Sequence, residues 1–368
     1  MKVRTSRPAL AEAARWVARA ISPKPFTPIM AGMIISADAG KIILRSSDYD
    51  TSLLAEVEAD VASPETILVP GFAFAAYLAA ARGDTVTIER DGSLIKAAVG
   101  RSRSEFRTLD PEQYPSGLHK PSALVATIEQ AQRLRDLVTP LLGHADSESP
   151  LPWGASVRLV IKDDALSVTC GTRFALGWAT GEDWEAQDAD ADLLILASHL
   201  EAVLAGLNGQ LMIKHDGGSG PVTFETADRT AQVRMIDSQY PDTDVLMDAT
   251  RSGRLMIDKE DLEDATKLAT TGTNRVILEF TNDQLQVISH MPEKGELASV
   301  ITDELLCDAN FPTRFALKTD YLLTALSAMK PGKITMGYPI NGDKKCPVLI
   351  TDGSARHVIA PVQIGKRS

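Results

Sequence analysis

FRTLDPEQYP (106–115) and VRMIDSQYP (233–241) close two stretches of chain in the same way, and their Tyr-Pro pairs stand 126 residues apart. A period that long is far beyond a solenoid unit, so it points to whole domains written more than once. Working back from each close, the same order of signals appears. An amphipathic helix comes first: ALAEAARWVARAI (9–21), with Leu10, Ala14, Val17 and Ile21 at helical spacing, then TIEQAQRLRDLVTPLL (127–142), with Ile128, Ala131, Leu134 and Leu137. A third copy, DKEDLEDATKLAT (258–270), carries Leu262, Ala265 and Leu268. Each is followed by a hairpin: 33–48, 156–170 and 275–289, turning at Ala-Gly, Asp-Asp and Asn-Asp. An alternating strand (ETILVP, DLLILA, TRFALK) then leads into a second helix, at 70–82, 198–209 and 318–330, and a further hairpin. The third unit ends on HVIAPVQI (357–364).

Each third therefore reads as two helices and roughly eight strands. The fold class is α+β: three repeated domains, 1–118, 119–245 and 246–368, each with two helices packed on antiparallel sheets whose other face meets solvent. The 368 residues, 44% hydrophobic and 24% charged, suit two or three ordinary globular domains. No apolar run is long enough for a membrane span, and MKVRTSRPALAEAARWV has no signal-peptide core. Cys170, Cys307 and Cys346 are scattered and odd in number, against a disulfide framework or a zinc site and in favour of a reducing cytoplasm.

The net charge of −11 excludes nucleic-acid binding by bulk positive charge, so any such binding needs local cations. Residues 1–118 carry 14 basic and 14 acidic side chains, 119–245 carry 9 and 19, and 246–368 carry 15 and 16. The acid gathers in the middle third, notably in GEDWEAQDADAD (181–192), which reads as a solvated loop.

Four segments carry a resemblance: KPFTPIMAGMII (24–35), GRSRSEFRTLDPEQYP (100–115), CGTRFAL (170–176) and VIAPVQI (358–364). In order and spacing they resemble the bacterial β sliding clamp, the β subunit of DNA polymerase III, over essentially the whole chain. The resemblance implies domains of the DNA-clamp type that close head to tail, as a homodimer, into a ring around duplex DNA, with helices inside and sheets outside. It implies no catalytic site and no cofactor, and a cytoplasmic, nucleoid-associated place of work. Sliding requires diffuse positive potential and no base readout. The DNA-facing candidates are Arg7, Arg15, Arg19, Lys24, Arg133, Arg135 and Lys267, Lys24 falling where the family carries a DNA-contacting arginine.

The resemblance also implies an apolar groove in which the DNA polymerase, the clamp loader and repair factors seat short linear motifs. Carried over position by position, it comprises Pro152, Thr169, Gly171, Thr172, Arg173, Phe174, Pro241, Val245, Leu246, Tyr321, Pro347, Val358, Ala360, Pro361 and Val362. Departures stand at Thr172 for a histidine, Val245 for an arginine and Gln363 for an arginine, with Gly365–Ser368 extending the tail. These departures leave open an accessory or phage-encoded clamp-like scaffold with altered specificity, and the first helix has an actinobacterial look. For the dimer interface, Arg101 and Arg103 match family positions that pair with acids; Glu293 and Glu296 are the candidate partners, with Phe106 and Leu268 as the apolar centre. An enzyme is the rival class. No Gly-rich phosphate loop, GxSxG or HExxH is present, Cys170 reads as a small buried hydrophobe, and Asp163-Asp164 reads as a turn.

Overall fold

Ser6 has extended backbone and accepts a hydrogen bond from the Ala9 amide, and Pro8 follows inside the first turn, so the first helix has a defined start. From there Leu10, Ala13, Ala14 and Val17 fall on one buried face. The structure, a computed structural model, describes residues 1–115, 123–162, 165–181, 185–186, 190–248, 251, 253–270, 274–281, 284–291, 295–301, 306–307, 313–338 and 346–364. Among them one order of elements recurs three times. The first third runs β1 (Lys2–Ser6), α1 (Arg7–Val17), β2 (Gly32–Asp38), β3 (Lys41–Ser47), β4 (Thr51–Ser63), β5 (Glu65–Pro70), α2 (Gly71–Ala80), β6 (Thr85–Asp91), β7 (Leu94–Val99) and β8 (Ser102–Arg107). The middle third runs β9 (Leu124–Ile128), α3 (Ala131–Val138), β10 (Ser156–Lys162), β11 (Ala165–Gly171), β12 (Ala175–Gly181), β13 (Glu185–Ala186), β14 (Ala191–Leu196), α4 (Ala197–Leu204), β15 (Leu211–Lys214), β16 (Val222–Glu225) and β17 (Arg229–Val233). After a short α5 (Asp244–Asp248), the last third runs β18 (Gly253–Asp258), α6 (Lys259–Ala269), β19 (Arg275–Thr281), β20 (Gln284–Met291), β21 (Gly295–Ile301), β22 (Leu306–Cys307), β23 (Thr313–Lys318), α7 (Thr319–Ala328), β24 (Lys333–Tyr338), β25 (Val348–Thr351) and β26 (Ala355–Ile359).

The sheet pairing explains the extra short strands. The long β4 pairs with β3 through Ser52–Glu58 and with β1 through Ala59–Ser63, so it joins two arms of one sheet. In the middle third β12 pairs with β11 and β13 with β9; in the last, β21 pairs with β20 and β22 with β18. Each repeat is thus one four-stranded and one five-stranded antiparallel arrangement, with the fourth strand continuous in the first repeat and broken in the others. The helix expected at 127–142 is shorter than its apolar period suggests. Thr127 and Ile128 belong to β9, where they face Met212 and Leu211, and the chain passes into a 3-10 turn at Thr139–His144. Pro140 has no amide hydrogen for a continuing α-helix.

Two compact units hold these elements: Met1–Arg135, Asp183–Ala191 and Ser198–Met235 in the first, Asp136–Glu182, Asp192–Ala197 and Ile236–Ser368 in the second. The first contains one branched sheet ordered β13-β9-β15-β16-β17-β4-β1-β6-β7-β8, with β3, β2 and β5 branching from β4. The second contains the sheets β14-β10-β11-β12-β26-β25-β24-β18-β22 and β21-β20-β19-β23. In the last repeat both helices and both sheets meet in one core, where Leu262 and Ala265 of α6 and Leu322 and Leu326 of α7 pack with Phe280, Phe315 and Tyr338. The Phe280 and Tyr338 rings lie parallel, 4.8 Å apart. Each such large side chain contributes about 1.5–3 kcal/mol by burial. The Tyr-Pro signatures also acquire a reason. Tyr114 and Tyr240 are both buried, each beneath a guanidinium, Arg45 at 5.9 Å and Arg158 at 5.8 Å.

Within the first unit, the first and middle repeats meet at Trp16. Its indole Nε1 donates to the Val203 carbonyl at 3.1 Å, and Gly206 lies flush on the ring, where a Cβ would come within 2.2 Å of it. Arg229, 7% exposed, sets its guanidinium over the ring at 5.3 Å, pairs with Glu12 at 2.9 Å and donates to the Gly206 carbonyl. Replacing Arg229 by Ala leaves that carbonyl with only the Asn208 side-chain amide at 3.3 Å and uncovers the indole. We expect a loss of about 2 kcal/mol in urea unfolding, from one charge-assisted hydrogen bond and one cation–π contact. Arg234→Ala, which removes an exposed pair to Asp50 at 3.5 Å, is expected to cost less than about 1 kcal/mol. Equal effects would show that the seam is not held by Arg229.

Candidate functional site

Alternation along two paired strands builds an apolar patch. Side chains on a strand point to opposite faces in turn, so Leu176 and Trp178 of β12 share one face while Gly177 points to the other. β26 pairs with β12 so that Val358 faces Leu176, and β25 places Leu349 beside Val358. Leu176, Val358 and Met247 of α5 form a buried cluster, with Trp178 and Leu349 half-buried against it.

Two rims flank this floor. The turn between β11 and β12 carries Thr172, Arg173 and Phe174; the Thr172 amide donates to the Ala175 carbonyl at 2.8 Å and its hydroxyl accepts from the Phe174 amide at 3.2 Å. Phe174 is 52% exposed, with the Arg173 guanidinium 5.7 Å over its ring, and its carbonyl accepts from the Ala360 amide at 2.8 Å. On the other side α5 presents Val245, 71% exposed, and Leu246, 36% exposed. An apolar floor between exposed apolar rims has the form of a site for apolar anchors.

The remaining groove candidates divide. Gly171 faces Leu176 and the buried Thr169 faces Trp178, so both join the floor. Pro347 is buried at the entry to β25, and Ala360 and Pro361 run half-exposed beyond β26. Pro152 and Pro241 are exposed and flank a second contact, where Trp153 meets Tyr240 edge-on at 5.6 Å. Tyr321 and Val362 pack elsewhere. Tyr321 leans on the last repeat's core under Lys318 at 5.1 Å, and Val362 joins Ile277, Ile288 and Ala316. Sequence reasoning missed Leu176, Trp178, Leu349, Met247 and Arg251. The alternation of β12 was a usable signal for the first two; α5 is too short to show a helical period.

Comparison with known proteins fits this geometry. The family model for the DNA polymerase III beta subunit, N-terminal domain, matches residues 1–118. A beta sliding clamp of Streptomyces coelicolor is 27% identical over 340 residues, 89% of each chain. Crystal structures of the Thermotoga maritima DNA polymerase III beta subunit (TM-score 0.90, 17% identity) and of a Pseudomonas aeruginosa sliding clamp bound to griselimycin (TM-score 0.89, 17% identity) share the fold over 99% of this chain and 100% of theirs. The chain is thus similar to bacterial β sliding clamps over most of its length and shares their fold.

The candidate DNA-facing cations fall into two groups. The side chains of Arg15, Arg19 and Lys24 are exposed and tied to no described residue. The others are engaged. Arg7 donates to the carbonyls of Gly83 and Leu78, and Arg135 to those of Leu204 and Leu207. Arg133 pairs with Glu129 at 3.4 Å, and Lys267 with Glu263 at 2.6 Å.

Of the candidate interface residues, Arg101 and Arg103 are exposed at and beside the start of β8, and Leu268 is half-exposed on α6. Phe106 is 7% exposed and packs edge-on against Phe74 and Tyr77 inside the first repeat. Glu293 lies outside the described residues, as does the side chain of Glu296, whose backbone in β21 pairs with His290 of β20. Asp163-Asp164, Cys307 beyond its backbone, and Gly365–Ser368 also lie outside them. Burial pushes the Cys170 thiol up to about 12, far from a thiolate nucleophile.

Beneath the floor, on the opposite face of β12 and β26, His357 meets His144 with ring nitrogens 2.8 Å apart. His144 Nδ1 and His357 Nε2 are buried without partners. Burial, aided at His144 by the neighbouring ring, lowers His144 from 6.5 to about 3; burial lowers His357 to about 4. Because both folded values lie below the unfolded one, the unfolded chain takes up protons first as pH falls. Stability is complete above about pH 6.5 and declines toward pH 4. We expect the urea midpoint of the second unit to fall between pH 7.5 and 4.5, and a His144→Gln, His357→Gln double variant to flatten the decline. A wild-type midpoint constant over that range would contradict a neutral buried pair.

Proposed function

We propose that the chain is a DNA sliding clamp: two copies close head to tail around duplex DNA and tether the replicative polymerase, the clamp loader and repair factors through the apolar groove, without a catalytic site of their own. Its domains are 1–118, 119–245 and 246–368, and its place of work is the cytoplasm, at the nucleoid.

One observation carries this reading. The last strand of each later repeat pairs antiparallel with the fourth strand of the repeat before it. β17 lies on β4, with Arg229 facing Ala55 and Val233 facing Thr51. β26 lies on β12, with Ala355 facing Ala179 and Ile359 facing Ala175. By the same rule the last strand of the first repeat, β8, seeks a fourth strand, and β21 in the last repeat is a fourth strand on the edge of its sheet. A heterologous contact of this kind between copies either runs on as a filament or closes, and closure gives a ring. Val300, exposed on β21, supports the same pairing, since an apolar side chain on an open edge invites association.

Duplex DNA is then held by topology and by a diffuse field centred on Arg15, Arg19 and Lys24, with no base readout. Light scattering from micromolar to nanomolar is expected to give about twice 39.6 kDa throughout. Loaded protein is expected to remain on circular DNA and to leave linear DNA by its ends. Val300→Lys sets a cation against the arginines of β8 and is expected to weaken the dimer at least about tenfold. A monomer at every concentration would overturn the autonomous ring.

A further inference from the structure

The groove wall made by α5 spans five residues, Asp244–Asp248, too few to hold its own shape. Two features tie it to the fold. Met247 plugs into the floor beside Leu176 and Val358. The second tie is Arg251, three residues beyond the helix. Its Nη2 donates to the Leu246 carbonyl at 2.6 Å, its Nη1 to the Met247 carbonyl at 3.1 Å and its Nε to the Pro347 carbonyl at 3.3 Å. The last carbonyls of a helix lack partners within it. Here one guanidinium satisfies two of them and joins them to the residue before β25.

The backbone of another strand makes room for that side chain. A Cβ added at Gly337 of β24 would come within 2.9 Å of Arg251 Cδ and 3.4 Å of its Cβ. A glycine in a strand interior commonly marks such a close approach. Only a planar fork can reach three carbonyls from one position; an ammonium is a point donor on a flexible stem.

We propose that Arg251 is the positioning residue of the groove: it pins α5 to the entry of β25, so that Val245 and Leu246 stand as a preformed wall for the apolar anchors of a bound peptide. The proposal rests on the reading of this patch as the peptide groove. A preformed wall spares the ligand the cost of ordering it, so loss of the pin weakens binding while the fold survives.

The test uses the full-length dimer and griselimycin, the ligand named for the Pseudomonas aeruginosa clamp, as a calorimetric probe. Arg251→Met keeps the apolar stem but removes every donor, and is expected to weaken binding at least about tenfold. Arg251→Lys should fall between. Gly337→Ala, on a different strand, should reproduce Arg251→Met by displacing the side chain. Melting temperature and dimer mass should match wild type, while amide exchange quickens over residues 244–248 and not in β12 or β26. Binding within twofold of wild type for Arg251→Met and Gly337→Ala would overturn the proposal, as would exchange that quickens equally in β12 and β26. Wild-type protein that ignores griselimycin would overturn the groove reading instead, and exchange over 244–248 would still decide whether Arg251 pins the wall.

Discussion

An open β-sheet edge presents unpaired amides and carbonyls, and a protein must cover it, blunt it or pair it. Everything distinctive in this chain follows from pairing. Each repeat leaves its fourth strand on one edge and its last strand on another, and the last strand of the next repeat pairs with the fourth strand of the one before. Because the two edges differ, the contact is directional, and repeats add in one sense only. A chain of three repeats leaves one edge of each kind, β8 and β21. In the proposed ring, the vacancy that is filled at the internal junctions is filled between copies by the same hydrogen-bonding geometry, with no new kind of contact.

The groove is a product of the same constraint. Its floor exists because β26 pairs with β12 in a register that sets Val358 beside Leu176. The chain that connects the two repeats must cross this junction, and in crossing it forms α5 and leaves Val245 and Leu246 exposed. On the reverse face, the same register places His357 against His144. Floor and histidine pair are thus alternate residues of one ladder, so changes that shift the register would disturb both at once.

Much of this architecture was legible in the chain. The three-fold order and the buried faces of the helices follow from apolar spacing, and Leu10, Ala14 and Val17 are buried as that spacing requires. The rim Thr172–Phe174 was reached through resemblance. What escaped was of two kinds. One was structure too short for a period: α5, with Met247, and the broken continuation of the fourth strand in β13 and β22. The other was partnership. Arg7, Arg135 and Lys267 read as free cations because sequence displays charge, whereas the carbonyls of Leu78, Leu204 and Leu207 and the carboxylate of Glu263 that engage them are set by folding. Arg251 was overlooked for the same reason.

Engaged cations are not electrostatically silent. A guanidinium bonded to neutral carbonyls keeps its full charge, and at physiological salt its field reaches about 8 Å before screening takes most of it. Arg7 and Arg135 therefore add to a diffuse potential even though their donors are used within the protein. Lys267 differs: its partner Glu263 is an anion that Lys259 also touches, and Glu260, Asp261 and Asp264 are exposed on the same helix. The exposed surface of α6 is thus acidic, while that of α1 carries Arg15 and Arg19. On the proposed reading, the candidate cations that are exposed and tied to no described residue gather in the first repeat of a chain of net charge −11. Such unevenness suits a sliding contact. A few cations that touch any phosphate equally favour no position along the duplex, and the acidic remainder discourages a second, immobile mode of binding.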